Sequence, residues 1–585
     1  MDYKKNRLVK KGGKSKALLE NLFWGKQRHN ELIKTRCKMT AIVEKSSSYV
    51  LGIDLGTTNC AVGIYKAGKT EIITIDGAKT MPSVMSVLKD GEILAGSQAK
   101  SRSLIAPKST VSSIKRKMGT DWTKEFEEIP GKVFTPVEVS AEILLKSING
   151  ILQNEAIDLG GTPTYAVICV PANFNDAQKK ATQMAGELAN LDILTLLEEP
   201  IAAAYAYAIE KERVQTVLVY DLGGGTFDVS ILEVDSTRSA NKQFKVLAKE
   251  GIQELGGDDF DQKIMQRVAG EFAKASNIDI LDLDKDQGIS TKKAREAQQK
   301  LLEAVITAKH ELSEATKTSI DIPNFIHDES GQPHHIDNLQ ITREQFNEEI
   351  RDLILQTKES VEKALSAAKL EIEDIDRIIL VGGSTKIPLV REMLHEIFGR
   401  EPYSDTDPDT AIARGGAILG ATMMLPDPEL ERPEEDTPDF VIDLDNIVTH
   451  NLGIEVVGGK FSCLIPKDTQ IPEDAPATAS REYTTPQDNL TELAIIVFQS
   501  SEDAPYVSSD GAQCIGEFFL KGIPPKPRGE ERIIVEFEID GQNLLKVKAS
   551  SSSSAGELEI RESKIIDRQQ RITPDDATQQ PVSEE

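Results

Sequence analysis

Two short stretches of this 585-residue chain repeat one design: Asp54-Leu-Gly-Thr-Thr-Asn59 and Asp221-Leu-Gly-Gly-Gly-Thr-Phe-Asp228. Each follows an apolar run of β type, Val50-Leu-Gly-Ile53 or Val217-Leu-Val-Tyr220, and the leading aspartates stand 167 residues apart. A strand that ends in a carboxylate and turns at once on glycine and threonine can aim backbone N–H groups and hydroxyls at phosphate oxygens. The carboxylate can hold a hydrated Mg²⁺, which keeps several of its waters. Two such turns facing each other would clamp ATP from both sides. A lone strand-end aspartate is usually a turn or helix cap; the repeated context favours a site here. Asp54 and Asp221 are the prime carboxylates. Gly56, Thr57, Thr58 and Asn59, with Gly223, Gly224, Gly225 and Thr226 opposite, would line the phosphates. Asp228 would orient the attacking water or the metal's shell. A third turn, Val381-Gly-Gly-Ser-Thr-Lys386, again follows an apolar run, and its glycines let backbone approach a ligand closely. It is expected to touch the nucleoside through Gly382, Gly383 and Ser384.

Residues 49–425 must position these turns, and they alternate apolar strands with longer amphipathic stretches, the grammar of an α/β domain. Ala166–Val170 and Arg377–Val381 read as further buried strands, and 292–315 and 343–369 as long helices. The second helix opens on Thr342-Arg-Glu-Gln345, a capping-box spacing. Residues 426–445 hold nine Asp/Glu, one Arg and four prolines and read as an exposed acidic connector. From 448 to 560 short alternating runs such as Leu493–Phe498, Ile533–Ile539 and Leu544–Ala549 stand between turn clusters, which predicts an all-β sandwich. The expected divisions are a basic, disordered extension (1–45), a nucleotide-binding domain (46–425), an acidic linker (426–447), a β-sandwich (448–563) and a disordered tail (564–585).

A net charge of −27 argues against nucleic-acid binding, and the lack of an apolar run of about 18 residues argues against a membrane span. The charge is uneven: residues 1–38 carry twelve Lys/Arg against three Asp/Glu. That arm reads either as a transit peptide or an RNA- or membrane-touching tail, or as an extension added by an upstream start before Met39. It lacks the apolar centre of a secretory signal. The five cysteines show no CxxC spacing, so neither a disulfide framework nor a zinc site is expected. A reducing interior such as cytoplasm fits, or an organelle if the arm is a transit peptide. Cys60, beside the first turn, reads as a buried small residue.

In this order the chain resembles the seventy-kilodalton heat-shock, DnaK-like chaperone family. The resemblance rests on Gly52–Asn59, Ile114-Lys-Arg116, Val170-Pro-Ala172, Phe174-Asn-Asp176, Glu199-Pro200, Asp221–Asp228, Gly256–Asp261, Val381–Pro388 and Asp407-Pro-Asp409. Leu452–Glu455, Gly458-Gly459, Ile471-Pro472 and Pro527-Arg-Gly529 extend it to about residue 563. It implies an actin-like, two-lobed α/β ATPase followed by a β-sandwich that grips an extended apolar peptide. The phrases Thr110–Arg116, Leu301–Ala304 with Ala308-Lys309, Gly257-Asp-Asp259 and Gly522-Ile-Pro524 lean toward the HscA-like branch that serves iron–sulfur cluster assembly, as does Ile306 where general members carry Glu.

The resemblance assigns roles. Asp54, Asp221 and Asp228 would hold Mg²⁺ through water, and Thr57, Thr58 and Thr226 would touch phosphates. Lys115, which by itself reads as part of a solvated lysine run, would position the hydrolytic water, and Glu199 would complete the polar shell. Gly256, Gly257, Lys309, Ser313, Gly382, Gly383, Ser384 and Lys386 would contact the nucleotide, with Asp409 near the base. Pro171 would be a switch. Client polypeptides, a J-domain co-chaperone and an iron–sulfur scaffold protein are the implied partners, and a monomer is expected.

The chain also departs from the family. Lys179 and Lys386 replace arginines, and Lys lacks Arg's planar fork. Asn173 replaces a usual Tyr and Glu198 a usual Asn. The family's apolar linker reads here Val441-Ile-Asp-Leu-Asp445, whose docking would desolvate two aspartates unless each finds a partner. After residue 563 only 22 residues remain, so the family's helical lid is expected to be missing. The rival readings are a small-molecule kinase of the same superfamily, against which the β-region argues, a general folding chaperone, and a non-hydrolysing scaffold.

Overall fold

A computed structural model describes residues 46–561, apart from 155–157, 209–213, 238–239, 283–289, 329, 404–406, 473–474, 501–502, 510, 542 and 554–556. The basic extension 1–45, the tail 564–585 and the expected absence of a lid lie outside the described residues.

Two sheets share one plan. In the first, strands run in the order Asp192–Glu198, Tyr165–Val170, Val50–Leu55, Asn59–Lys66 and Lys69–Ile72. Val50–Leu55 lies parallel to Tyr165–Val170 and antiparallel to Asn59–Lys66. In the second the order is Arg377–Val381, Val214–Leu222, Phe227–Asp235, Asn241–Ile252, Val441–Ile447 and the short Gln470–Ile471. Val214–Leu222 is parallel to Arg377–Val381 and antiparallel to Phe227–Asp235. The central strands are buried on both faces, which explains their near-continuous apolar runs. Each aspartate turn is therefore the tip of a hairpin at the end of a buried parallel strand.

The helices Glu199–Ala208 and Ala411–Thr422 pack between the sheets. A side chain at Gly415 would put its Cβ 1.8 Å from the Ala202 carbonyl oxygen, so this crossing needs glycine. The long helices begin and end close to expectation, at Thr291–Glu314 and Arg343–Ala368. Thr342 and Gln345 form the reciprocal capping box, with Gln345 N donating to Thr342 Oγ1 at 3.3 Å and Thr342 N to Gln345 Oε1 at 3.0 Å.

From 451 onward two antiparallel sheets face each other. One runs Lys460–Ile465, Asn451–Val456, Glu492–Ser500, Ala512–Lys521, Glu557–Arg561, and the other Ala477–Thr484, Arg532–Ile539, Leu545–Ser551. Ile533, Val535, Phe537 and Ile539 alternate into the core against Leu493, Ile495 and Val497.

The acidic segment is largely exposed, as the sequence implies, but it is tied to the ATPase region at several points and does not hang free. Arg432 donates to the carbonyls of Ser48, Gly420 and Ala421. Asp436 is buried, accepting from Tyr49 Oη at 2.5 Å and Ala67 N at 2.7 Å. Val441–Asp445 then pairs in parallel with Asn241–Lys245. Ile442 and Leu444 turn inward onto the core, while Asp443 takes the Asn241 amide and Asp445 stays exposed opposite Lys245. The desolvation expected for the two aspartates is thereby avoided, because the period-2 pleat keeps both on the polar face.

Candidate functional site

The two hairpins meet across a cleft between the sheets. A Cβ built on Gly224 would lie 2.0 Å from Thr58 Oγ1, and one on Gly225 2.8 Å from Thr57 Oγ1. Thr57 and Thr58 of the first turn thus fill the space that Gly224 and Gly225 of the second leave open. Gly56 and Asn59 close the first turn, with Asn59 at the start of its return strand. In the second, Gly223 N donates to Thr226 O at 3.2 Å, and Asp221 and Asp228 face each other as a cross-strand pair.

Lys115 does not lie on a solvated face. It sits in the short 3-10 turn Ile114–Lys117, is 7% exposed, and donates to Glu199 Oε1 at 2.5 Å. Burial lowers its affinity for a proton, but Glu199, Asp54 and Asp221 outweigh that, so it stays charged with a raised pKa. The carboxylates are crowded. Burial, then Glu199, raise Asp54 to about 7 and Asp228 to about 8. Burial, Glu199, Asp228 and Asp54 drive Asp221 well above the ordinary range. Four acids thus share one lysine, and Asp221 Oδ2 is buried with no hydrogen-bond partner. That orphaned oxygen in an acid-rich cleft fits a divalent cation. Among the described residues no three His, Cys, Asp or Glu side chains form a direct metal-binding group. An ion here would be held through its own waters, as Mg²⁺ prefers.

The remaining sequence candidates gather on the second lobe. Gly257 N and Asp258 N donate to the carbonyls of Gly223 (3.0 Å) and Gly224 (2.8 Å), joining the phosphate turn to the helix Gly257–Ser276, which Gly256 caps. Ser384 Oγ donates to Gly223 O at 2.9 Å, which brings the third turn onto the second. Lys309 is buried between Gly257 O (3.0 Å) and Asp261 (2.9 Å), and Ser313 follows one helical turn later. Lys386 pairs with Asp409 at 2.5 Å, both part-exposed at the rim, beside Gly382 and Gly383.

Sequence reasoning gave no role to three residues that the structure brings in. Arg116 reaches from the first lobe to Asp259 at 2.5 Å and Gly224 O at 3.3 Å in the second. Its only sequence signal was its place beside Lys115. Asn173 contacts Asp228 directly. Lys249 meets Glu198 at 2.5 Å in a buried cluster with Lys179. Cys60 is fully buried and its thiol is pushed up to about 12, in keeping with a packing role.

A cleft walled by two like-built lobes, each presenting a strand-end aspartate hairpin, with a β-sandwich following, defines an actin-like ATPase joined to a substrate-binding β-domain. A family model described as Hsp70 protein matches residues 50–582. The chaperone protein DnaK of Thermotoga petrophila is 40% identical over 536 residues, covering 91% of this chain and 82% of that protein. The proteins of the same name from Thermosipho melanesiensis and Thermosipho africanus are each 40% identical, over 519 and 532 residues, covering 88% and 90% of this chain and 80% and 81% of theirs. The chain belongs to the Hsp70 family, whose members hydrolyse ATP. Among its described residues no helix is long and apolar enough to cross a membrane.

Proposed function

We propose that the chain is an ATP-dependent chaperone whose hydrolysis controls the grip of the β-sandwich on extended apolar segments of client polypeptides. The observation that carries this reading is the connector strand Val441–Ile447, which pairs with Asn241–Ile252 of the second ATPase sheet and, at Asn446 and Ile447, with Gln470–Ile471, and runs straight into the sandwich. A change in lobe closure would reach the peptide site through that strand.

In this reading Lys115 aims its ammonium at the attacking water and at charge growing on the γ-phosphate, and Glu199 holds the Lys115 side chain. Thr57, Thr58, Thr226 and the amides of Gly56 and Gly223–Gly225 grip phosphate oxygens. Lys309, Ser313, Gly382, Gly383, Ser384, Lys386 and Asp409 receive the nucleoside. Mg²⁺, held through water by Asp54, Asp221 and Asp228, would neutralise phosphate charge. Such reactions need mainly positioning and charge stabilisation. The domain limits proposed above, 46–425, 426–447 and 448–563, assign these parts.

The finer reading, service to iron–sulfur proteins with a J-domain co-chaperone and a scaffold partner, rests on the local phrases at 110–116, 301–309 and 522–524. A general folding chaperone is the alternative, and the relatives above carry the name DnaK. Single-turnover hydrolysis with and without an apolar peptide tests the first claim, and acceleration by peptide is expected; no turnover overturns it. Capture of a cluster-assembly scaffold that differs between ATP and ADP supports the finer one, and its absence under both leaves the general reading.

A further inference from the structure

Asn173 lies in the turn between the strand Tyr165–Val170 of the first sheet and the helix Asp176–Leu188. It makes three hydrogen bonds to the other lobe. Its side-chain amide donates to Asp228 Oδ1 at 2.9 Å, and its backbone N–H donates to the same oxygen at 3.3 Å. Its carbonyl accepts from Gln253 Nε2 at 2.9 Å, just past the strand Asn241–Ile252. Room for this exists because residue 251 is glycine. A Cβ there would lie 2.0 Å from Asn173 Nδ2, 2.5 Å from Phe227 O and 3.1 Å from Asp228 Oδ1. Any side chain at 251 would expel the amide from its place. The contact borders a small cavity that Thr57, Lys115, Asn173, Thr226 and Asp228 all line.

We propose that Asn173 is a positioning residue for hydrolysis, fixing the Asp228 carboxylate from the opposite lobe. Asp228 is 1% exposed and stands opposite Asp221, so once both ionise repulsion favours swinging it away. Two donors on one oxygen hold its plane and leave the other oxygen for a magnesium-bound water. Because Asn173 travels with the first sheet and Asp228 with the second, the bonds also register the angle between the lobes. Asn173 is not a catalytic residue: it acts through Asp228.

The inference rests on the ATPase reading above, so its test is run on the full chain beside Lys115→Ala. Asn173→Ala is expected to slow single-turnover hydrolysis about tenfold, less than the roughly 10²–10³-fold loss of a donor that touches the developing charge itself, because Asn173 acts through Asp228, with ATP affinity within about twofold of wild type. Asn173→Asp, which keeps the shape but swaps the donor for a second carboxylate, is expected to slow it about a hundredfold. Asn173→Gln, which restores an amide, is expected to recover most of the rate. Calorimetry gives a readout apart from turnover: the gain in ADP affinity on adding Mg²⁺ should shrink in the Ala and Asp variants and return in Gln. Wild-type hydrolysis by Asn173→Asp, or equal losses in the Ala, Asp and Gln variants alongside loss of ATP affinity, overturns the inference. Full activity of Lys115→Ala overturns the ATPase assignment itself, and the inference with it. An inactive Lys115→Ala beside a wild-type Asn173→Ala overturns the inference alone.

Discussion

Asn543 Nδ2 donates to Glu198 Oε1 at 3.0 Å, so a loop of the β-sandwich shares a buried carboxylate with a strand end of the first ATPase sheet. The same carboxylate meets Lys249 at 2.5 Å and Lys179 at 3.8 Å. Burial alone would raise the Glu198 carboxyl, but Lys249 and Lys179 outweigh it and hold it low, while burial lowers Lys179. Lys249 also donates to Asn446 Oδ1 at 2.5 Å, and Asn446 donates to Gly541 O at 2.9 Å. The next residue, Glu199, holds Lys115 in the cleft. Two adjacent carboxylates therefore face the nucleotide side and the sandwich side of one strand end.

Glu198→Gln removes the buried carboxylate that Lys249 and Lys179 share. Removing one partner of a buried ion pair costs about 3–5 kcal/mol, so the melting temperature should fall by several degrees. Asn543→Ala, which removes one hydrogen bond, should cost about 1 kcal/mol. Both should blunt the difference in peptide affinity between ATP and ADP. Unchanged melting and unchanged coupling in Glu198→Gln would remove the cluster from any interdomain role.

Lys115→Ala removes the lysine that the carboxylate cluster at the cleft's base shares. Single-turnover hydrolysis should fall by about 10²–10³-fold, the range for a lost transition-state donor. Nucleotide binding should survive, read by calorimetry at saturating Mg²⁺. Hydrolysis at the wild-type rate would sink the assignment.

The raised carboxylates set the pH dependence. Asp54 at about 7 and Asp228 at about 8 bind protons in the folded state that the unfolded chain, near 3.8, has already released. Stability of the nucleotide-free protein therefore falls as pH rises from about 4 to about 8. Magnesium and nucleotide reverse the preference by favouring ionised carboxylates, so binding should release protons near pH 7 and tighten toward pH 8. Binding enthalpies that are the same in buffers of different ionisation heat would contradict this.

Leu444→Asp places a charge where the connector strand turns inward onto the core. The connector strand should undock at a cost of about 1–3 kcal/mol. Protease should then cut near residues 441–445, and peptide should no longer accelerate hydrolysis. A connector that stays resistant and coupled would show that docking does not depend on that side chain.

The chain's local grammar determined much. A strand, a carboxylate and a glycine turn are contiguous, so Asp54 and Asp221 could be placed on hairpin tips before any contact was known. Alternation gave the sandwich strands, and Thr342 with Gln345 gave a helix start. The β-period of Ile442 and Leu444 was present too, but nine acids around it read as a solvated strap. Other features were out of reach of any local pattern. Lys115 reads as one of a lysine run until Glu199, 84 residues on, takes it into the cleft. Glu198 and Asn543 are separated by 345 residues, and Asn173 and Asp228 by 55. Periodicity reports which face of an element is apolar, because that follows from helix and strand geometry. Which buried polar groups meet is decided only when distant elements pack, since each must find its partner there or forfeit its hydration.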